Sequence, residues 1–253
     1  PNIPLFHLNT MSVISETIDL IIEKSPTPLG EIRVDDLVIG IFFTGVKVTT
    51  GQAGVAFTPI SQIPEAVCCP TTAARMPQAG NLEGRSASEI IKYSLDPNVL
   101  KSAIGVATIN ALSQLMIELG DESKYQILKD MDGFNLLKIQ PDETVSLIGA
   151  FGPYIRRLKM MGNPFLIIEK NPQTLRSDEI KYFKSESEMA SAFEKSDVII
   201  ITGTSIVNHT IDHILSHMRE EHRAAIIGPT ASMIPDAFFK KGVHAVSYTH
   251  LRA

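Results

Sequence analysis

Cysteine is scarce in this chain: two in 253 residues, Cys68 and Cys69, standing side by side, so no disulfide framework is available. Basic residues are in deficit, and the net charge of -5 argues against a nucleic-acid partner, which needs a basic surplus to neutralise phosphate. No apolar run approaches the ~18–20 residues that cross a bilayer, so no membrane partner is expected. Residues 1–10 lack the basic and apolar parts of a signal peptide. A cytoplasmic protein is the default expectation. Catalytic signatures are missing as well. There is no Gly-x-Ser-x-Gly elbow, no His-Glu-x-x-His zinc site and no Gly-x-x-x-x-Gly-Lys-Ser/Thr phosphate loop. These gaps disfavour a serine hydrolase, a metallohydrolase and an ATPase or GTPase.

What is present is a chain with 44% hydrophobic and 20% charged residues, enough core for one large domain or two of ordinary size. The first half opens with an amphipathic helix over residues 12–24. Asp36 to Thr58 reads as a meander of two or three antiparallel strands, with a break at Thr44-Gly45. Ile60 to Gly84 has no period and reads as a long ordered loop over the surface or a cleft. Ser86 with Glu89 predicts a capping box. Asp96-Pro97-Asn98 then opens a helix to about Leu119 that is apolar almost all round, and so buried. Gly105 within it predicts the close approach of another backbone. Asn110 must find partners there, either bracing a neighbouring loop or facing a cleft between domains.

Asp121 to Phe134 reads as a polar link, which gives an α+β domain over 11–134 and a second domain over 135–246. The second domain alternates β-branched runs with helices. Strands are expected at 144–148, 164–169, 180–183, 197–203 and 224–228, and helices from Pro153, over 187–195, 206–218 and 235–241. That alternation predicts a Rossmann-like, doubly wound parallel sheet with ligands beyond its carboxyl ends. The candidate site follows from those ends: Gly149, Phe151 and Gly152 after the first strand, Glu169 after the second, Thr202, Gly203, Thr204 and Asn208 after the fourth, and Gly228, Pro229 and Thr230 after the fifth, with Asn110 arriving from the first domain. Backbone donors at Gly149 to Gly152 and at Gly228 would hold a nucleotide-like small molecule, and Glu169, twenty residues after Gly149, would hold a diol or act as a base. The spacing is Gly-x-x-Gly, however, not the Gly-x-Gly-x-x-Gly of dinucleotide binders.

Gly149-Ala-Phe-Gly-Pro, Ile168-Glu169, Ile201-Thr-Gly-Thr with Asn208 and Thr210, and Ile227-Gly-Pro-Thr230 together resemble the heavy-metal chelation family, as do Ala79-Gly-Asn-Leu-Glu-Gly84 and Ile104 to Ala111. The resemblance implies an enolase N-terminal-like domain followed by a Rossmann-like domain, with one pocket formed between them. It also implies condensation or hydrolysis in pterin, flavin or siderophore-like metabolism, and a divalent or heavy metal or a pterin-like ligand as cofactor. The family continues beyond the point where Val246 to Ala253 takes on the look of a translated sequencing adapter, so residues 247–253 are read as a non-native tail and the sheet as truncated at its C-terminal end.

Metal ligands are weak on their own terms. Cys68-Cys69 has no second pair at zinc spacing. His209, His213 and His217 recur every fourth residue and predict an exposed row along one helix face. Two classes of function stay open: an enzyme acting on a small molecule, and a non-catalytic protein that sequesters a metal or metal–ligand complex. An S-adenosylmethionine-dependent methyltransferase is the third choice. Nothing sets the subunit count, and a homo-oligomer remains open.

Overall fold

The computed structural model describes residues 11–60, 77, 80–120, 126–128 and 131–247. Helix α1 (Val13–Lys24) forms where expected: the Ser12 hydroxyl accepts from the Ser15 amide, Glu16 and Lys24 complement the dipole at its two ends, and Val13, Ile14, Ile18 and Ile21 are buried. Strands β1 (Val34–Ile39), β2 (Phe43–Val48) and β3 (Ala53–Phe57) make an antiparallel meander. The turn between β1 and β2 lies at Gly40 to Phe42, not at Thr44-Gly45, which pair with Ile39 and Val38 in mid-strand. The reason is the period of two: Thr44, Val46 and Val48 all face inward, and the Thr44 hydroxyl meets that of Thr58 at 2.9 Å. Most of the loop expected over 60–84, with both cysteines, lies outside the described residues.

Helix α2 (Ala87–Ile90) lacks the expected capping box, because the Ser86 hydroxyl turns to Ser88 at 2.9 Å and Glu89 pairs with Arg85 at 2.7 Å. A 3-10 turn (Ile91–Leu95) leads to α3 (Val99–Leu119), capped by Asn98, which accepts from the Leu100 and Lys101 amides. Helix α3 is long and apolar enough to cross a membrane by length and composition, which corrects the expectation that no such segment exists. Its most apolar window is nonetheless 78% buried inside the protein, against β2, β3, α1 and the 3-10 turn.

The second half begins at α4 (Gly133–Leu136), whose Phe134 is already core. Strands β4 (Val145–Ile148), β5 (Phe165–Ile168), β6 (Phe183–Lys184), β7 (Val198–Thr202), β8 (Arg223–Ile227) and β9 (Ala245–Ser247) form one parallel sheet in the order β6-β5-β4-β7-β8-β9. This is the doubly wound order, and its reversal falls between β4 and β7. Strand β6 has only two residues because Ile180–Tyr182 is a 3-10 turn. Helices α5 (Gly152–Met161), α6 (Met189–Phe193), α7 (Thr204–Val207), α8 (Ile211–Ser216) and α9 (Asp236–Lys240) connect the strands. Strand β9 pairs with β8 through Ser247, at the start of the stretch read as a tail.

The helix expected over 206–218 is broken in two. His209 adopts φ 56°, left-handed, and its Nε2 meets the Asp96 carbonyl oxygen at 2.9 Å. The three histidines therefore share no single helix face. His209 and His213 are exposed, and His213 and His217 pack ring to ring with centroids 4.6 Å apart.

One face of the sheet shares a continuous core with α1, α3 and the meander, while the other packs Phe134, Leu137, Ile155 and Leu158. Polar ties cross the junction: the Val13 amide donates to Asp212 at 2.9 Å, Lys24 to Asp236 at 3.1 Å, and the Phe57 amide to the Thr230 hydroxyl at 3.0 Å.

At the amino edge of the sheet Arg223 donates through both terminal nitrogens to Glu143, and the Gln140 amide adds a third bond. The Arg223 hydrogen bonds, ahead of that amide and opposed by burial, hold the Glu143 carboxyl below its ordinary value of 4.5. A depressed folded-state value means the contribution is whole above pH 4.5 and is lost as pH falls through the lowered value. Glu143→Gln is therefore expected to destabilise the protein at neutral pH and to flatten its acid decline. Melting temperatures from pH 7 to 3 check this, and parallel curves for the two proteins would refute it.

Candidate functional site

Three strand ends meet at the reversal. After β4 the chain turns at Gly149, where φ is 104°; a Cβ there would lie 3.1 Å from the Thr202 methyl. The turn closes on itself. The Gly149 amide donates to the Ile168 carbonyl, Phe151 to Gly149 and Gly152 to Ala150, at 2.9–3.1 Å. The remaining amide, Ala150, donates to the Glu169 carboxylate at 3.1 Å. No free backbone donor is left between Gly149 and Gly152, against expectation, because the short Gly-x-x-Gly turn spends its amides on its own carbonyls and on one carboxylate.

Glu169 is half-buried, and its other oxygen accepts from the amides of Lys170 at 2.8 Å and Asn171 at 3.2 Å. Across the cleft, the Thr202 and Thr204 hydroxyls lie 3.1 Å apart and Ser205 donates to the Thr202 carbonyl at 2.6 Å. The Asn208 amide closes α7 on the Thr204 carbonyl, which holds its side chain toward the cleft. Asn208 Oδ1 is sealed from solvent and has no hydrogen-bond partner.

These groups line a cavity of about 160 Å³. It brings together five of the expected residues: Gly149, Glu169, Thr202, Thr204 and Asn208. Ala150, inside the expected Gly149 to Gly152 turn, lines it too; Lys170, Glu186, Ser205 and Thr210 also line it and were missed as site residues, although Thr210 stands in a motif already singled out and Lys170 follows the strand-end acid directly. The other expected residues fall outside the lining. Phe151 stacks on Tyr154 with centroids 5.5 Å apart, on the far side of the sheet, and Gly152 opens α5. The Gly203 amide is bonded to the Ile227 carbonyl, and that of Gly228 to Ser247, so the latter is no free donor either. Pro229 and Thr230 sit in a 3-10 turn against β3. Asn110, 1% exposed, braces that turn: its Nδ2 donates to Val55 at 2.7 Å and to Thr230 at 3.0 Å, so the bracing role is the one observed. Among the described residues no group of three or more His, Cys, Asp or Glu is placed to hold a metal ion.

An α+β unit docked on one face of a doubly wound sheet, with a polar cleft at the strand reversal, defines a two-part Rossmann-like protein. A family model described as "Putative heavy-metal chelation" matches residues 132–252, and a second with the same description matches residues 22–113. The chain belongs to that family. It is 23% identical over 174 residues to an uncharacterized protein of Methanocaldococcus jannaschii, covering 66% of this chain and 61% of that one, less than two thirds of the relative's length. Its fold is similar to that of a DUF364 family protein of unknown function from Pyrococcus horikoshii (TM-score 0.72, 25% identity, covering 94% of this chain and 87% of that one). A DUF364 family protein of unknown function from Desulfitobacterium hafniense is similar in fold as well (TM-score 0.63, 20% identity, coverage 91% and 83%).

Proposed function

We propose that the cleft at the carboxyl edge of the parallel sheet binds a small polar organic molecule, and that the link to heavy-metal chelation runs through that molecule. The observation that carries this is the lining itself: the Thr202 and Thr204 hydroxyls, the Glu169 carboxylate and the Asn208 side chain converge on one cavity, and Asn208 Oδ1, buried in that wall, has no hydrogen-bond partner. A ligand that draws this amide oxygen into the cavity recovers the roughly 1–3 kcal/mol that an unmet buried acceptor costs. The surrounding hydroxyls and the carboxylate of Glu169 suit a hydroxyl- or amino-bearing heterocycle, in keeping with the pterin-, flavin- or siderophore-like chemistry that the resemblance implies. Glu169 is tied by three amides, which fits holding a ligand better than moving a proton.

A thermal-shift screen against pterins, flavins, catechols, nucleosides, S-adenosylmethionine and divalent metals tests the reading. A ligand at 100 times its dissociation constant adds about 2.7 kcal/mol. For a chain of this size that is a shift of roughly 5–10 °C. Asn208→Ala is expected to weaken the organic ligand about 10- to 100-fold, the worth of one buried hydrogen bond. Stabilisation by metals alone, unchanged in Asn208→Ala, would overturn the proposal in favour of direct sequestration.

A further inference from the structure

We infer that the ligand of this cleft carries no phosphate, and that Glu169 is the residue that excludes it. The inference rests on the cleft being a small-molecule site. In doubly wound folds a phosphate sits on the amides of the first strand-to-helix turn and on the helix N-terminus behind it. Here every amide of that turn is already engaged, and the Ala150 amide holds a carboxylate of the protein itself. A phosphate would have to displace Glu169 from Ala150 while the same side chain stays anchored by Lys170 and Asn171, and would then sit beside a like charge.

The rest of the lining points the same way. Glu186 brings a second carboxylate, and Lys170, the one cation of the lining, lies 3.7 Å from it. The carboxylates of the lining leave capacity for donors. Asn208 Oδ1 has no partner, and the Glu169 oxygen on Ala150 takes a single N–H, which leaves it room for one more donor. The class of ligand that fits is a neutral or cationic molecule with hydroxyl, amine or ring N–H donors: a nucleoside or pterin alcohol rather than its phosphate ester.

The test is a titration calorimetry series on matched pairs in 0.15 M salt, where general repulsion by the protein's negative charge is screened beyond about 8 Å. The pairs are adenosine and guanosine with their 5′-monophosphates, and neopterin with its phosphate. The unphosphorylated member is expected to bind at least tenfold more tightly than its ester. Glu169→Ala, which frees the Ala150 amide, is expected to improve the ester at least tenfold. Glu169→Gln, which keeps the side chain's size and removes its charge, is expected to narrow the gap and stands in if the alanine variant does not fold. Glu221→Gln changes the net charge equally at the amino edge of the sheet and is expected to leave the gap as it is. An ester that binds wild type as tightly as its parent overturns this inference alone. Binding by no member of any pair removes the nucleoside and pterin class and this inference with it, while the reading of the cleft stands or falls with the thermal-shift screen.

Discussion

Gly54→Ala is expected to destabilise the protein by more than about 3 kcal/mol, beyond the usual cost of overpacking a core. A Cβ on Gly54 would lie 2.2 Å from the Ala107 carbonyl oxygen and 2.3 Å from the Ala111 amide nitrogen, in mid-helix α3. Both are backbone atoms of a buried helix, so no side-chain rotation relieves the clash. Gly105 is a parallel case on the opposite neighbour of the same helix, where an added Cβ would fall 1.9 Å from the Ser94 nitrogen. That position reverses an ordinary rule. Glycine in a helix interior costs roughly 1 kcal/mol against alanine, so Gly→Ala there is usually stabilising; here it is expected to be strongly destabilising. At 2–4 °C per kcal/mol for a domain of 150–250 residues, each variant should melt roughly 6–12 °C or more below wild type. Gly45→Ala in β2 is the control, since nothing lies within 4 Å of its added Cβ, and it should stay within about 1 kcal/mol. A Gly54→Ala protein melting within 2 °C of wild type would mean that β3 and α3 are not packed as described.

Gly105 was legible as a close approach because one glycine interrupted a helix apolar all round, and only a passing backbone explains that cheaply. The strands β4, β5 and β7 were legible for a related reason: Phe165–Ile168 and Val198–Thr202 are continuous apolar or β-branched runs and Val145–Ile148 departs from one only at Ser146, the pattern of a sheet covered on both faces. Local signals failed where a distant partner decided the outcome. The apolar positions Val207, Ile211, Ile214, Leu215 and Met218 read as one helix, yet the left-handed turn at His209 is bonded to Asp96, more than a hundred residues earlier. Ser86 and Glu89 had the spacing of a capping box, but Ser88 and Arg85 were nearer partners.

The site shows the same division. Glu169 stood where a strand-end acid belongs, and the cleft does contain it. That its carboxylate occupies the turn amide could not be read from spacing, because Gly-x-x-Gly does not reveal which amides are spent. Gly228-Pro229-Thr230 looked like a fourth wall of the pocket. It serves instead as the surface on which β3 and Asn110 dock, and only the packing of the first half on the second distinguishes those roles.

Asn110→Asp is expected to be as damaging as either glycine variant, for an electrostatic reason. Asn110 Nδ2 gives both its protons to carbonyl oxygens, Val55 in the first half and Thr230 in the second, at a position 1% exposed. Aspartate replaces that donor with an oxygen facing two oxygens. An uncompensated buried charge costs about 3–5 kcal/mol, or roughly 10 °C in melting temperature here. The variant carries its own diagnostic. Burial and the facing carbonyls raise the pKa of the new carboxyl above its unfolded value, so the unfolded chain binds fewer protons than the folded one. The penalty is then largest at neutral pH and shrinks as pH falls through the raised value, because a protonated carboxyl donates to one of the two carbonyls again. The gap between wild type and Asn110→Asp should therefore narrow between pH 7 and pH 5, while the gap to Asn110→Leu, which has no proton to gain, should hold constant. Ligand affinity should fall with stability even though Asn110 does not line the cleft. A Cβ on Gly203 would lie 3.3 Å from that of Thr230, so the turn that Asn110 braces backs directly onto the segment carrying Thr202 and Thr204. Equal melting of Asn110→Asp and wild type at pH 7 would show that the two halves are not joined through this side chain.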